Sequence, residues 1–375
     1  MNLKVAGIFV FLFLCVIAGF SQLDNSSLLF NAVNDTSKEK AVYLKIQNLN
    51  YLKNNEYYNA IADGYTMFGV QLNPQIGYQL SKNLSLEGGI FLNKDFGNND
   101  FTMVQPSFAV RYMKKDFKMV FGNIDGSLNH NLIEPVYNFE RVMTNRLESG
   151  AQFVVTKKYF DFDTWVDWQR ATYRFSNQQE NIWAGISANV LKLKTDKADF
   201  KIPLQATVYH MGGQLDTLSA GIVKNFNYSA GFLFHYHVKT KRVQSVFADV
   251  RYVIRTNNYL DSVARTSQGD GILANVGFVT PRAFNVMLSY WYGNDFYTDL
   301  GGFLYSSKSS TVAYSWYWRE KYRSLLILRL TKTIKLEDQT LLTLRAEPHY
   351  DFINNYFEFS FGFYISLDKK FWLSK

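Results

Sequence analysis

The chain has 375 residues, a formal net charge of +8 and a single cysteine, Cys15. One cysteine excludes an intrachain disulfide and any metal site built from several thiolates. The basic residues are scattered, with neither a basic helix nor a glycine-rich phosphate loop, so the positive charge does not indicate nucleic-acid binding.

The N-terminus has the pattern of a secretory signal. Lys4 precedes an apolar run from Val5 to Phe20, which ends in Ser21-Gln22. This run is shorter than the roughly 20 residues that a membrane-spanning helix needs, and polar residues follow it. We therefore predict a cleaved signal peptide over residues 1–21 and a polar periplasmic tail over residues 22–40.

The remaining chain is rich in aromatic residues that recur at every second position. The whole sequence contains 25 Tyr and 32 Phe. The last such segment has one apolar face, formed by Phe357, Phe359, Phe361, Phe363, Ile365 and Leu367. Its other face carries Glu358, Ser360, Gly362 and Ser366. A period of two indicates a strand with one side suited to lipid and the other to water.

The same alternation recurs along the whole chain, and only a closed barrel can pair the backbone groups of such strands inside a bilayer. The tight turns that we predict are Ser81–Asn83, Lys114–Asp116, Lys157–Lys158, Thr195–Lys197, Lys239–Arg242, Thr280–Arg282, Ser307–Ser310 and Lys335–Asp338. Together with nine other connections they give 18 strands. The weakest strands are 41–51 and 301–306, and omitting both gives 16.

The predicted fold is therefore all-β: a transmembrane antiparallel up-and-down β-barrel of 16–18 strands, with 18 favoured. It spans residues 41–367, and residues 368–375 form a C-terminal tail. A barrel of this size encloses a water-filled lumen.

The longest connection, residues 123–145, departs from the alternating pattern. It combines apolar side chains with the polar residues Asp125, His130, Glu134, Glu140 and Arg141. A fully solvated loop does not need the apolar residues. By analogy with the constriction loop of general porins, we predict that it folds into the lumen, with a surface lid as the alternative.

The segment after the next turn places Asp161, Asp163, Trp165 and Asp167 on one strand face. One interpretation is that these side chains form a part of the lumen wall that binds a sugar or a cation. The other, which we favour, is a hydrated lumen wall whose negative charge is balanced by arginines. The candidate arginines, inward-facing on the same alternation, are Arg251, Arg255 and Arg345. The predicted pore-lining set consists of the five polar loop residues, the four residues of this strand face and the three arginines. Because the set carries both positive and negative charges, we predict weak selectivity among solutes.

The histidines do not predict a metal site, a cofactor or an enzyme. His235 and His237 share one strand face, but the sequence offers no third ligand at a suggestive spacing. A lipid-cleaving barrel needs a Ser or Thr beside a His at its rim. No motif joins His130, His210 or His349 to such a hydroxyl, so we predict that the chain is not an enzyme.

Three blocks of the sequence are distinctive: Phe20-Ser21-Gln22, Asp63-Gly64-Tyr65-Thr66 and the segment from Gly122 to Gly126 through Glu134-Pro135 to Arg146-Leu147-Glu148. In these blocks the chain resembles a porin-like outer-membrane β-barrel family common in the Bacteroidota. The resemblance is specific over the first half only. It implies the fold and an outer-membrane location, and brings no established substrate.

Together these patterns predict a Gram-negative outer-membrane channel for diffusion of small hydrophilic solutes. One alternative is a substrate-specific channel or the barrel subunit of a larger transport assembly, and the other is a barrel enzyme acting on lipid. The expected partners are outer-membrane lipid and a small solute, with a homo-oligomer left open.

Overall fold

A computed structural model describes residues 25–30, 38–213, 221–259 and 266–373, and the predicted signal peptide lies outside these ranges. The strands are β1 (Ala41–Glu56), β2 (Tyr65–Gln79), β3 (Leu84–Asp95), β4 (Met103–Lys114), β5 (Phe117–Asn123), β6 (Ser149–Thr156), β7 (Asp161–Arg170), β8 (Asn181–Lys194), β9 (Ala198–Met211), β10 (Val223–His237), β11 (Ser245–Asn257), β12 (Gln268–Val279), β13 (Phe284–Asn294), β14 (Tyr322–Glu337), β15 (Thr340–Asp351) and β16 (Tyr356–Trp372). Short helical turns cover Ser26–Leu28, Ser127–His130, Arg141–Thr144 and Phe303–Tyr305. Among the described residues, no helix combines the length and apolar character that a bilayer crossing would require.

The strands close into a single antiparallel barrel in which each strand pairs with its sequence neighbours. Closure comes from β1 and β16, which pair from Tyr43 and Trp372 at one end to Glu56 and Phe359 at the other. A closed sheet has no edge strand, so every strand pairs its backbone on both sides.

Side chains alternate between the two faces of the wall as the sequence predicts. Along β16, Phe357, Phe359 and Phe361 are exposed on the outer face, whereas Glu358 and Ser360 are buried. The outside of the barrel is thus apolar and the inside polar, the reverse of a water-soluble barrel and the arrangement that lipid requires.

The barrel has 16 strands, so the favoured count of 18 is wrong. One long connection, residues 295–321, contains the predicted strand 301–306. It also contains a second segment with aromatic residues at alternating positions, which the sequence pattern favours as a strand: Val312, Tyr314, Trp316 and Trp318. This second segment forms turns instead of a strand: the amide of Trp318 donates to the carbonyl of Tyr314 at 2.8 Å, four residues earlier. The expected turn at Ser307–Ser310 belongs to this connection too. The other seven predicted turns match the short connections at one end of the barrel.

The two predicted tails are partly built into the barrel. β16 continues to Trp372, because Tyr43 of β1 pairs with it, so the C-terminal tail does not start at residue 368. Within the predicted N-terminal tail, Ser27 and Leu28 are buried inside the lumen. The hydroxyl of Ser27 lies 2.6 Å from that of Thr343 in β15, and Arg345 donates to Asn25 at 3.1 Å.

The outer face yields a depth-dependent prediction. Leu288 lies at the middle of β13 on the exposed apolar face, whereas Phe284 is the first residue of the same strand. We expect Leu288→Arg to lower the free energy of unfolding in lipid vesicles by about 2–4 kcal/mol, because the guanidinium would sit at mid-bilayer depth.

The matched control is Phe284→Arg, for which we expect a loss of about 0–1 kcal/mol near the interface. Denaturant titrations of both variants in the same vesicles measure the difference. Equal losses at the two positions would contradict the placement of this face against lipid.

Candidate functional site

The connection between β5 and β6, residues 124–148, lies inside the barrel and is called the plug below. Its base is closed by a hydrogen bond of 3.0 Å from the amide of Ile124 to the carbonyl of Glu148. Ile133 and Tyr137 of the plug pack in one buried cluster with Trp165 and Trp183 of the wall. The apolar residues that a solvated loop would not need are therefore the ones that seat the plug.

The long connection 295–321 supports the plug from the other side. The amide of Gly302 donates to the carbonyl of Glu134 at 2.8 Å, and the amide of Asn138 donates to the carbonyl of Leu300 at 2.7 Å. Tyr305 also belongs to the buried cluster that holds the plug. The two connections thus form one packed unit inside the lumen.

His130 is the most enclosed charged group of the plug. It is fully buried, with Nδ1 at 2.7 Å from Asp163 and Nε2 at 2.9 Å from Glu148. Its ring stacks on Trp165 at a centroid distance of 3.6 Å. Burial disfavours the charged imidazolium, but Glu148 and Asp163 overcome this and raise the pKa of His130 to about 9. His130 therefore ties the plug to β7 as a cation between two carboxylates.

Glu134 forms the second anchor, between two arginines of the wall. Its carboxylate accepts from Arg329, from Arg345 at 2.9 Å and from the hydroxyl of Tyr305 at 2.6 Å. Both arginines also contact Glu347 at 2.7 Å. Burial alone would raise the pKa of Glu134, but the two guanidinium groups lower it.

Asp125, at the start of the plug, and Glu140, in its second half, are also bound to the wall. Asp125 lies 2.5 Å from Arg111 and 2.9 Å from Lys118, and these cations lower its pKa against the opposing effect of burial. Glu140 accepts from Lys53 of β1 at 2.8 Å. Four of the five predicted polar residues of the loop are therefore bound to the barrel wall.

Arg141, the fifth, has a different environment. Its guanidinium lies over the ring of Tyr137 at 5.4 Å from the centroid. Its Nε and Nη2 atoms are buried and have no hydrogen-bond partner among the described residues.

The predicted wall residues of β7 all face inward, as their alternation indicates. Asp161 pairs with Lys192 at 2.7 Å, and Asp167 accepts from the amide of Ser149 at 2.8 Å. Trp165 is only 2% exposed because His130 covers it, so its ring is closed to a stacking sugar.

The three predicted arginines also lie inside the barrel. Arg251 pairs with Asp249 at 2.5 Å, and Arg345 joins the Glu134 network. Arg255 lies over the ring of Tyr297 at 3.9 Å and donates to the carbonyl of Asp295 at 3.2 Å. The structure thus gathers only Arg345 of the three at the plug.

The predicted pore-lining set omitted Glu148, Arg329, Glu347 and Tyr305, which complete the two anchors. Arg329 and Glu347 are inward-facing charged residues between apolar outward neighbours, and this signal is visible in the sequence. The sequence carries no signal that Tyr305 contacts the plug, because the sequence pattern predicts a strand over residues 301–306 and not a connection inside the lumen.

A cavity of about 680 Å³ lies between the plug and the end of the barrel that carries the short turns. His130 and Glu134 line it on the plug side, and Asp161, Lys201 and Arg251 line it on the wall side. The cavity is therefore a polar chamber of mixed charge, and the plug closes one side of it.

Residues 34–375 match the model of the family described as lipid A 3'-O-deacylase-type. The chain belongs to the lipid A 3'-O-deacylase-type family. The prediction that it is not an enzyme is therefore wrong, because this is an enzyme family. No curated protein sequence matches the chain.

Solved structures with a similar fold include outer-membrane proteins of two bacteria. OprD of Pseudomonas aeruginosa shares 10% identity over 92% of this chain and 99% of its own, with a TM-score of 0.52. A loop L8 deletion mutant of OmpT of Vibrio cholerae shares 11% identity over 88% and 99%, with a TM-score of 0.50. At such low identity the similarity shows the barrel fold alone.

The His130 anchor predicts a pH-dependent change in the plug. Because its folded-state pKa of about 9 lies above the ordinary value of 6.5, its charge stabilises the folded plug fully below about pH 6.5. This stabilisation is lost as the pH rises through about 9. We expect the emission of Trp165 to change over the upper part of this range, because the stacked imidazolium then loses its proton.

The measurement is tryptophan fluorescence of the detergent-folded protein between pH 7 and 9.5. Trp165→Phe and His130→Gln should each abolish the transition. An identical transition in His130→Gln would show that another group causes it.

Proposed function

We propose that this chain is an outer-membrane, porin-like channel for small hydrophilic solutes, narrowed by the plug. The observation that carries the proposal is a polar chamber of about 680 Å³ inside an apolar-coated barrel, with an inward-folded loop across it. A barrel of this kind is stable in a lipid bilayer, and its interior is the part that water and solutes can enter. Export by the predicted signal peptide fits the same location.

The predicted pore-lining residues have graded roles in this proposal. His130, Glu134, Asp161, Asp163 and Arg251 line the main chamber. Glu140 and Arg345 line a smaller cavity of about 60 Å³ that Glu134 also reaches. The remaining members of the predicted set line neither of these two cavities: Asp125, Arg141, Trp165, Asp167 and Arg255. Both signs of charge meet in the chamber, which favours weak charge selectivity.

Two proteins of similar fold support this location. OprD is an outer membrane protein, and OmpT, an outer membrane protein of Vibrio cholerae, has been solved in a trimer form. Homo-oligomerisation of this chain and its origin in the Bacteroidota both stay predictions.

Replacing residues 126–146 by a short Gly-Ser linker tests the role of the plug. The base of the plug is already closed by the Ile124 to Glu148 hydrogen bond, so a short linker can span it. We expect single-channel conductance in planar bilayers to rise severalfold, because the lumen loses the segment that crosses it.

The control is a shortened connection 171–180, most of whose residues are exposed at the barrel end. This variant should conduct as the wild type does. Unchanged conductance in the plug variant would sink the proposal that the plug is the constriction.

A second candidate, hydrolysis of an ester-linked acyl chain of lipid A, is favoured by the family match. Such a reaction needs a proton-accepting group that reaches the outer face of the barrel. Of the five histidines, His130, His235, His237 and His349 face inward. His210 lies on the opposite face of β9 from Tyr209, whose hydroxyl accepts from the inward Asn181 at 2.9 Å.

His210 is therefore the residue to substitute in a deacylation test. We expect His210→Gln to reduce any release of acyl chains from lipid A at least tenfold, with His349→Gln as the inward-facing control. Mass spectrometry of lipid A incubated with the purified barrel measures the loss of acyl chains. Intact lipid A with the wild-type protein would contradict this second candidate and leave the channel proposal standing.

A further inference from the structure

Three ionisable side chains meet on the inner wall where β9 and β10 pair. The strand register places Asp199 directly opposite His235, and His237 follows two residues later on the same face. Oδ2 of Asp199 lies 2.7 Å from Nδ1 of His235 and 3.5 Å from Nε2 of His237. The two imidazole rings are 3.6 Å apart at their centroids, with planes at 67°. The sequence shows the two histidines, but only the register supplies the carboxylate.

We propose that Asp199, His235 and His237 bind a divalent transition-metal ion of the zinc class. Two imidazole nitrogens and one carboxylate oxygen are a ligand set that zinc and its neighbours prefer, with water completing the coordination. One ligand atom of each residue lies within 4.8 Å of the other two. An ion between them is within reach through small side-chain movements.

The required movements can be judged from the distances. Zinc bonds of about 2.0–2.1 Å place tetrahedral ligand atoms roughly 3.3 Å apart. The Asp199 to His237 separation of 3.5 Å is already close to this value. The Asp199 to His235 contact of 2.7 Å would open by about half an ångström.

Burial gives a second, independent reason for an ion at this position. Asp199 is 9% exposed and His235 is 1% exposed. Oδ1 of Asp199 is buried and has no hydrogen-bond partner among the described residues. A buried carboxylate oxygen without a partner is costly, and a bound cation would remove that cost. The side chain of His237 is 25% exposed, which leaves a path for the ion and for a water ligand.

The site borders the chamber beneath the plug. Lys201, Leu233 and Phe247, its neighbours along and across the strands, line the cavity of about 680 Å³. Lys201 shares the inward face of β9 with Asp199, two residues away. The positive charge of Lys201 opposes cation binding, so removal of this charge should strengthen the binding of the metal ion.

The test uses the full mature chain, folded in detergent and stripped of metal, with Zn²⁺ as the probe. Equilibrium dialysis with elemental analysis should give one tightly bound ion per chain. Asp199→Asn and His237→Gln should each weaken binding at least tenfold, and Lys201→Gln should tighten it severalfold. His210→Gln, which removes a histidine from the outer face, is the matched control and should bind as the wild type does.

Co²⁺ provides a second readout, because four-coordinate sites with nitrogen ligands absorb visible light much more strongly than hydrated Co²⁺. The wild type should show this absorption and His237→Gln should lose it. No zinc uptake by the wild type, or equal uptake by wild type and His237→Gln, would overturn the proposal. Folding of each variant is verified by heat-modifiable migration and circular dichroism. If Asp199→Asn does not fold, the partly exposed His237 decides the result alone.

Discussion

The pairing of buried charges between the plug and the barrel wall is the constraint on which the rest of the structure depends. The plug brings acidic and basic groups out of water, and an unpaired buried charge would cost several kcal/mol. Glu134 lies between Arg329 and Arg345, and His130 lies between Asp163 and Glu148. The plug therefore stays in place because its removal would break several pairs at once.

The barrel wall makes this pairing possible. Its closed register fixes Asp163 on β7, Arg329 on β14 and Arg345 on β15 around the plug. The plug crosses between these distant strands and links them, and the N-terminal segment contacts β15 through Arg345 and Thr343. Charges that would line an open pore are thus used largely for internal contacts. A solute entering the chamber would meet a surface whose charges are mostly already balanced.

The wall also separates two kinds of chemistry on alternate residues of a single strand. On β9, Asp199 and Tyr209 face the polar interior, whereas His210 faces outward. A lumen function and a reaction at the lipid face can therefore coexist in one chain without sharing side chains. This separation is the physical reason that a porin-like fold and membership in a lipid A deacylase-type family are compatible.

The sequence by itself determined the strands, their inward and outward faces and the closed barrel, because these follow from a period of two that each segment carries locally. It also marked the loop whose apolar residues seat the plug. It failed over residues 301–318, where aromatic residues at alternating positions coil into turns in a connection that never joins the wall. Only the tertiary structure decided which charges meet. Glu134 contacts Arg345 because the plug folds into the lumen. Asp199 joins His235 and His237 because the strand register sets it opposite His235, and no local pattern relates it to them.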